Sequence, residues 1–148
     1  MDTMNSKEIF QRFQDLLTEF LETDKVLLEI DSNERSISHK LAEHMQSKFT
    51  GWNVDCEYNR VKYKLKKVNG KKVNGKLVNP DIIVHHRNTY ENLLVVEVKK
   101  SRNKKGIQND RKRLENFLKA PLIYKAGILI VFKGTNATLE KFVYCPEG

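Results

Sequence analysis

The sequence predicts an α/β domain, a central mixed β-sheet flanked by helices, and three observations lead there. Apolar residues recur at three- and four-residue steps in three separate stretches, which is helical spacing. From Trp52 the period drops to two, and later runs are β-branched and apolar, as in strands. One of the helical stretches falls between strands. The resulting order of helix, helix, three or four strands, helix, strand, strand is best accommodated by a mixed sheet with helices on its faces. At 148 residues, 39% hydrophobic and 31% charged, the chain is the size and balance of one domain with its own core.

Ile9, Phe10, Phe13, Leu16, Leu17, Phe20 and Leu21 make residues 6–22 an amphipathic helix, the main element of an N-terminal helical region over 1–31. Asp31, Ser32 and Asn33 are each good N-caps for a second helix over 33–48, whose face carries Ile37, Leu41 and Met45 and which Gly51 ends. Trp52, Val54 and Cys56 alternate with polar residues, as do Val61, Tyr63 and Leu65 with Lys62, Lys64 and Lys66. The repeated Lys-Lys-Val-Asn-Gly-Lys, with its two Asn-Gly turns, places a basic β-hairpin over about residues 60–80. Residues 81–85 and 93–99 read as neighbouring central strands. A helix over about 107–119 follows, on which Ile107, Leu114, Phe117 and Leu118 share a face, then a buried strand over 127–133 and a final edge strand over 139–145.

Charge is distributed unevenly. Net charge is +8 and the pI is near 9.5. Residues 1–34 hold three bases against nine acids, a net of −6. Residues 59–80 hold eight bases and no acid, and residues 98–113 hold eight bases against Asp110 alone, a net of +7. Two acid-poor basic segments are what a polyanion-binding face requires, which points to nucleic acid as the partner. Arg60, Lys62, Lys64 and Lys66 in the first, and Lys100, Arg102, Lys104, Lys105, Arg111 and Arg113 in the second, are the expected phosphate contacts. No apolar run approaches the roughly 20 residues that span a bilayer, and residues 1–6 lack the pattern of a secretory signal, so a cytoplasmic location without membrane association is expected. Cys56 and Cys145 have no neighbouring Cys or His at zinc spacing, and both are expected as packed, reduced side chains.

The chemistry concentrates in the two central strands. Pro80-Asp81 opens the first, and Glu97-Val98-Lys99 closes the second. Strand alternation puts Glu97 and Lys99 on one face, continuing the row of Leu93 and Val95. Ionisable groups ending a buried row are costly unless they are paired, solvated or bound to metal. Asp81 beside Glu97 would form a hard oxygen site for Mg²⁺ or Mn²⁺, with Lys99 near enough to handle a water or offset charge on a phosphate. Glu34 falls on the inward face of the second helix at the spacing of Ile37, Leu41 and Met45, either as a further carboxylate of this site or as position N3 of a capping box begun by Asp31.

In these residues the chain resembles the PD-(D/E)xK nuclease superfamily, whose fold is restriction-endonuclease-like. The signature stands here as Asn79-Pro80-Asp81-Ile82-Ile83-Val84 and Leu94-Val95-Val96-Glu97-Val98-Lys99-Lys100, within a motif-bearing core over 32–133. The resemblance implies that Asp81 and Glu97 bind a divalent metal, that Lys99 is catalytic, and that Glu34 matches an acid many members carry on the helix before the sheet. Exonuclease branches place Tyr four residues after a Gln; here Gln108 is followed at that spacing by Lys112, a departure from the exonuclease pattern, and the four-residue constellation with the two basic segments leads to the expectation of a Mg²⁺-dependent DNA endonuclease. Cutting both strands would need two such sites, which makes a homodimer plausible. The alternatives are a non-catalytic nucleic-acid-binding module that keeps the fold, and an interaction protein in which Glu97 and Lys99 form an ion pair.

Overall fold

The computed structural model describes residues 4–57, 60–61, 64–65, 80–120 and 122–146. Helix α1 (Ser6–Thr23) starts where the Asn5 side chain accepts the Glu8 N–H, and it buries Ile9, Phe13, Leu16 and Phe20. A one-turn helix α2 (Lys25–Glu29) joins it to α3 (Glu34–Lys48). The α3 cap is Asn33, whose side chain accepts the Ser36 N–H at 2.8 Å. Glu34 is therefore the first helical residue and not N3 of a box begun by Asp31. Asp31 instead turns the chain with a φ of 57°, a conformation in which Asp is better tolerated than most residues.

The sheet contains β1 (Asn53–Cys56), β4 (Ile82–His85), β5 (Asn92–Lys100), β6 (Ala126–Lys133) and β7 (Asn136–Tyr144), in that spatial order. β4 pairs antiparallel with both β1 and β5, β5 and β6 are parallel, and β7 returns antiparallel at the edge. The sheet is thus mixed, and among the described residues the connection between strands that carries a helix is the parallel one, from β5 to β6: α4 (Lys104–Arg113), continued by a 3-10 segment at Leu114–Leu118. Arg60–Val61 (β2) and Lys64–Leu65 (β3) pair with each other, Arg60 opposite Leu65 and Val61 opposite Lys64. The alternation read as a single strand across 61–65 is therefore split between two strands, and the two Asn-Gly turns lie outside the described residues.

Two apolar layers fill the faces. Ile82, Val84, Leu94, Val96 and Val98 meet α1 and α3 on one side, while Ile83, Val95, Leu129 and Val131 meet Leu114, Phe117 and Tyr124 on the other. Residues of opposite parity in β4 and β5 thus serve both layers, which is why these strands read as continuous apolar runs. Phe13 is fully buried between α1 and the sheet layer. Phe13→Ala is expected to lower the unfolding free energy by about 3–5 kcal/mol with an unchanged urea m-value, measured by equilibrium denaturation. Cys145 is partly covered, but Cys56 is exposed, contrary to the expectation of a packed thiol.

Candidate functional site

The parity that sorts the apolar layers also sorts the charges. Asp81 precedes β4 with the parity of Ile83, and Glu97 and Lys99 have the parity of Val95, so all three belong to the face that α4 covers. Register reinforces this: Ile82 stands opposite Val96, which brings Asp81 level with Glu97. One Asp81 oxygen accepts the Val98 N–H at 2.7 Å, fixing the carboxylate against the end of the ladder.

A third acid descends from the helix. The Asn103 side chain caps α4 by accepting the Gly106 N–H at 3.0 Å. A Cβ at position 106 would approach the Asn103 side chain to 2.6 Å, so glycine there lets the cap close. With α4 so placed, Asp110 points into the sheet face. One carboxylate oxygen each from Asp81, Glu97 and Asp110 lies within 4.8 Å of the other two. Glu97 is 1% exposed and Asp110 2%. One oxygen of this trio, Glu97 Oε1, is buried without a hydrogen-bond donor.

Two cations accompany the acids. Lys99 Nζ forms an ion pair with Asp110 Oδ2 at 2.8 Å and lies 3.6 Å from Asp81 Oδ2; it donates to the Val98 carbonyl at 3.2 Å. Arg113 Nη2 donates to Asp110 Oδ1 at 2.5 Å and lies 4.0 Å from Glu97 Oε2. Lys99 thus pairs with Asp81 and Asp110, and not with Glu97 as a simple ion-pair reading expects.

Burial, and then the charges of Asp81 and Asp110, push the Glu97 pKa well above the usual glutamate range. Burial also raises Asp81, against the opposing pull of Lys99 and the Val98 N–H. For Lys99 burial works against the charge, but Asp81 and Asp110 outweigh it and hold the ammonium above the ordinary lysine value. A lysine held cationic cannot take a proton from water, so of its two expected roles only the offsetting of negative charge fits the ion-free protein.

Glu34 stands apart from the trio. Its Oε2 accepts the Lys100 N–H at 2.8 Å and lies 3.4 Å from Asn103 Nδ2, closing the end of β5. It still shares a polar cavity of about 470 Å³ with Asp81, lined also by Arg35, Ser38, His39, Cys56 and Glu57. Through Asp81, 26% exposed at its side chain, the buried acids reach solvent on that side. Glu57 holds a positive φ of 51° there while its N–H donates to the Asp81 carbonyl at 3.0 Å.

Several expected phosphate contacts already have partners. Lys100 Nζ and Arg102 Nη1 both hold Asp31, at 2.8 and 2.9 Å, and keep its carboxyl below the usual range. Arg111 pairs with Glu140, and Arg113 turns inward to the acids. Lys104 and Lys105 open α4 on an exposed turn. Arg60 and Lys64 sit on β2 and β3, but their side chains, like Lys62 and Lys66 altogether, lie outside the described residues. His85 is buried against Asp55 at 2.7 Å and His86 stacks on Trp52 at 3.8 Å, so neither joins the acid site.

Sequence reasoning passes over Asp110, treating it as the lone acid in a basic block. Its signal was positional: Ile107, Asp110, Leu114 and Phe117 step by three, four and three, and the other three pack into the layer that covers the sheet.

The donor set fits a hard divalent cation. Three carboxylates converge, the buried Glu97 with an oxygen that no donor satisfies, and oxygen donors of this kind suit Mg²⁺ or Mn²⁺. No helix among the described residues is long and apolar enough to cross a membrane. Comparison with known proteins finds no matching family model, no matching curated relative and no matching solved structure.

Proposed function

We propose that this protein is a metal-dependent nuclease with a restriction-endonuclease-like core, hydrolysing phosphodiester bonds and acting as an endonuclease on DNA. The observation that carries the reading is the convergence of Asp81, Glu97 and Asp110 beside Lys99, with the buried Glu97 Oε1 lacking a donor. A structural polar network this deep is expected to be fully satisfied, whereas a site that takes a cation keeps acceptors in reserve. The order of two antiparallel strand pairs, a crossover helix and a parallel strand, with acids at the strand ends, is consistent with the superfamily that the sequence resembles.

Asp81, Glu97 and Asp110 would hold the ion. Bound there, a divalent cation supplies Lewis-acid polarisation of a phosphate oxygen and stabilises charge on the displaced one. The chain supplies the rest. The Val98 N–H keeps Asp81 in one orientation, and Lys99 presents a charge beside the acids where negative charge on a phosphate would build. Lys104 and Lys105, exposed at the start of α4, would contact the flanking backbone, in binding that weakens steeply with salt. A second copy of the domain would be needed to cut both strands at one place.

Supercoiled plasmid incubated with the protein is expected to be nicked or linearised with Mg²⁺, not with EDTA, and not by Glu97→Ala or Lys99→Ala. Cleavage undiminished in both variants would remove these residues from the chemistry. DNA retention that is indifferent to Mg²⁺, with no cleavage, would instead favour a binding module that keeps the fold.

A further inference from the structure

The acid site already contains a cation, Arg113, whose side chain is partly open to solvent. Arg113 is the last residue of α4, where a basic residue complements the helix dipole, yet its guanidinium reaches inward. It makes one close contact, with Asp110 Oδ1, and stays 4.0 Å from Glu97. Its Nε is buried with no acceptor, although Glu97 Oε1, in the same cluster, is buried with no donor. A guanidinium evolved as a permanent partner would match its planar fork to a carboxylate through two bonds. Here a donor and an acceptor of one cluster are left unmatched.

We infer that Arg113 is a resident counter-cation that competes with the divalent ion for Asp110 and Glu97, and swings away when the ion binds. Charge supports the exchange. Among the described residues, Asp81, Glu97 and Asp110 face two cations, Lys99 and Arg113. An entering divalent ion together with Lys99 would balance the three acids without Arg113, and retaining both would leave an excess of positive charge in a buried site. Accessibility decides which cation goes. The Lys99 side chain is 13% exposed and is held by two acids and the Val98 carbonyl, whereas that of Arg113 is 25% exposed.

The inference rests on the proposed metal site but not on cleavage, so it is tested without nucleic acid. Mn²⁺ is titrated calorimetrically into the wild type, Arg113→Met and Arg113→Lys. The methionine variant is expected to bind about ten-fold more tightly or better, because a like charge beside the ion has gone, while the lysine variant stays near the wild type. In parallel, the ¹⁵N resonance of the Arg113 Nε–H in the wild type is expected to move to the position of a solvent-exposed arginine at saturating Mg²⁺. Equal or weaker binding by Arg113→Met would show that Arg113 orients the acids, and would overturn the competition. Should that variant fail to fold, an Nε–H signal unmoved by Mg²⁺ in the wild type overturns it equally. Absence of ion binding in every variant, including the wild type, is a separate outcome: it removes the metal-dependent nuclease reading itself.

Discussion

Glu97→Gln is expected to slow Mg²⁺-dependent DNA cleavage on the order of 10²–10³-fold while making the ion-free protein more stable. The two effects have one origin. Glu97 is 1% exposed, faces two other carboxylates, and carries an oxygen that no donor satisfies. In its charged form it costs the folded state, and that cost is repaid only when a cation is present. An amide of nearly the same shape removes the charge and brings its own donors toward Asp110. At pH 8 without divalent ions the gain should be about 1–3 kcal/mol, read from urea midpoints at constant m. A structural ion-pair acid would behave oppositely, because breaking a buried pair destabilises. A loss of stability in the glutamine variant would therefore exclude the cation-site reading of Glu97 even before any cleavage assay.

Mg²⁺ is expected to raise the thermal midpoint, and to raise it more at alkaline than at acid pH. Because the Glu97 pKa is above its ordinary value of 4.5 in the folded protein, the folded state holds a proton that the unfolded chain has released. Its contribution to stability is present in full below about pH 4.5 and is lost as pH rises through the raised folded value. Asp81 is shifted in the same direction from 3.8 and adds to the same slope. Ion-free protein should accordingly become less stable as pH rises through this window. A bound cation needs the carboxylates ionised, so it opposes the decline. At an ion concentration about 100 times its dissociation constant the gain is about 2.7 kcal/mol, and for a domain of this size that is roughly 5–10 °C in the midpoint. Scanning fluorimetry from pH 5 to pH 9 with and without Mg²⁺ measures it, with Asp110→Asn as the control that should lose most of the gain. Equal midpoints with and without the ion across the range would leave the trio as an acid cluster with no ligand.

Most of the fold could be read from the chain because it rests on local period. Ile9, Phe13, Leu16 and Phe20 define α1 without reference to anything else, and the apolar runs of β4 and β5 are long enough to need burial on both faces. The same alternation places Glu97 and Lys99 together, since two residues apart on a strand means one face whatever the rest of the protein does. That much was determined by the sequence alone.

What it left open were the encounters between elements. Glu34 has the inward spacing of a site residue, but where α3 crosses the sheet decides its partner, and that partner is the Lys100 N–H. Asp110 and Arg113 read as part of a basic helix until α4 is laid over β5, which turns both toward Glu97. Lys99 shares a strand face with Glu97, but the acids that hold it are Asp81 and Asp110. Period fixes the face that a residue occupies, because it is set by bond geometry within one element. The group that meets it there depends on register and crossing, which are set by packing between elements far apart in the chain, and so only the tertiary structure could decide it.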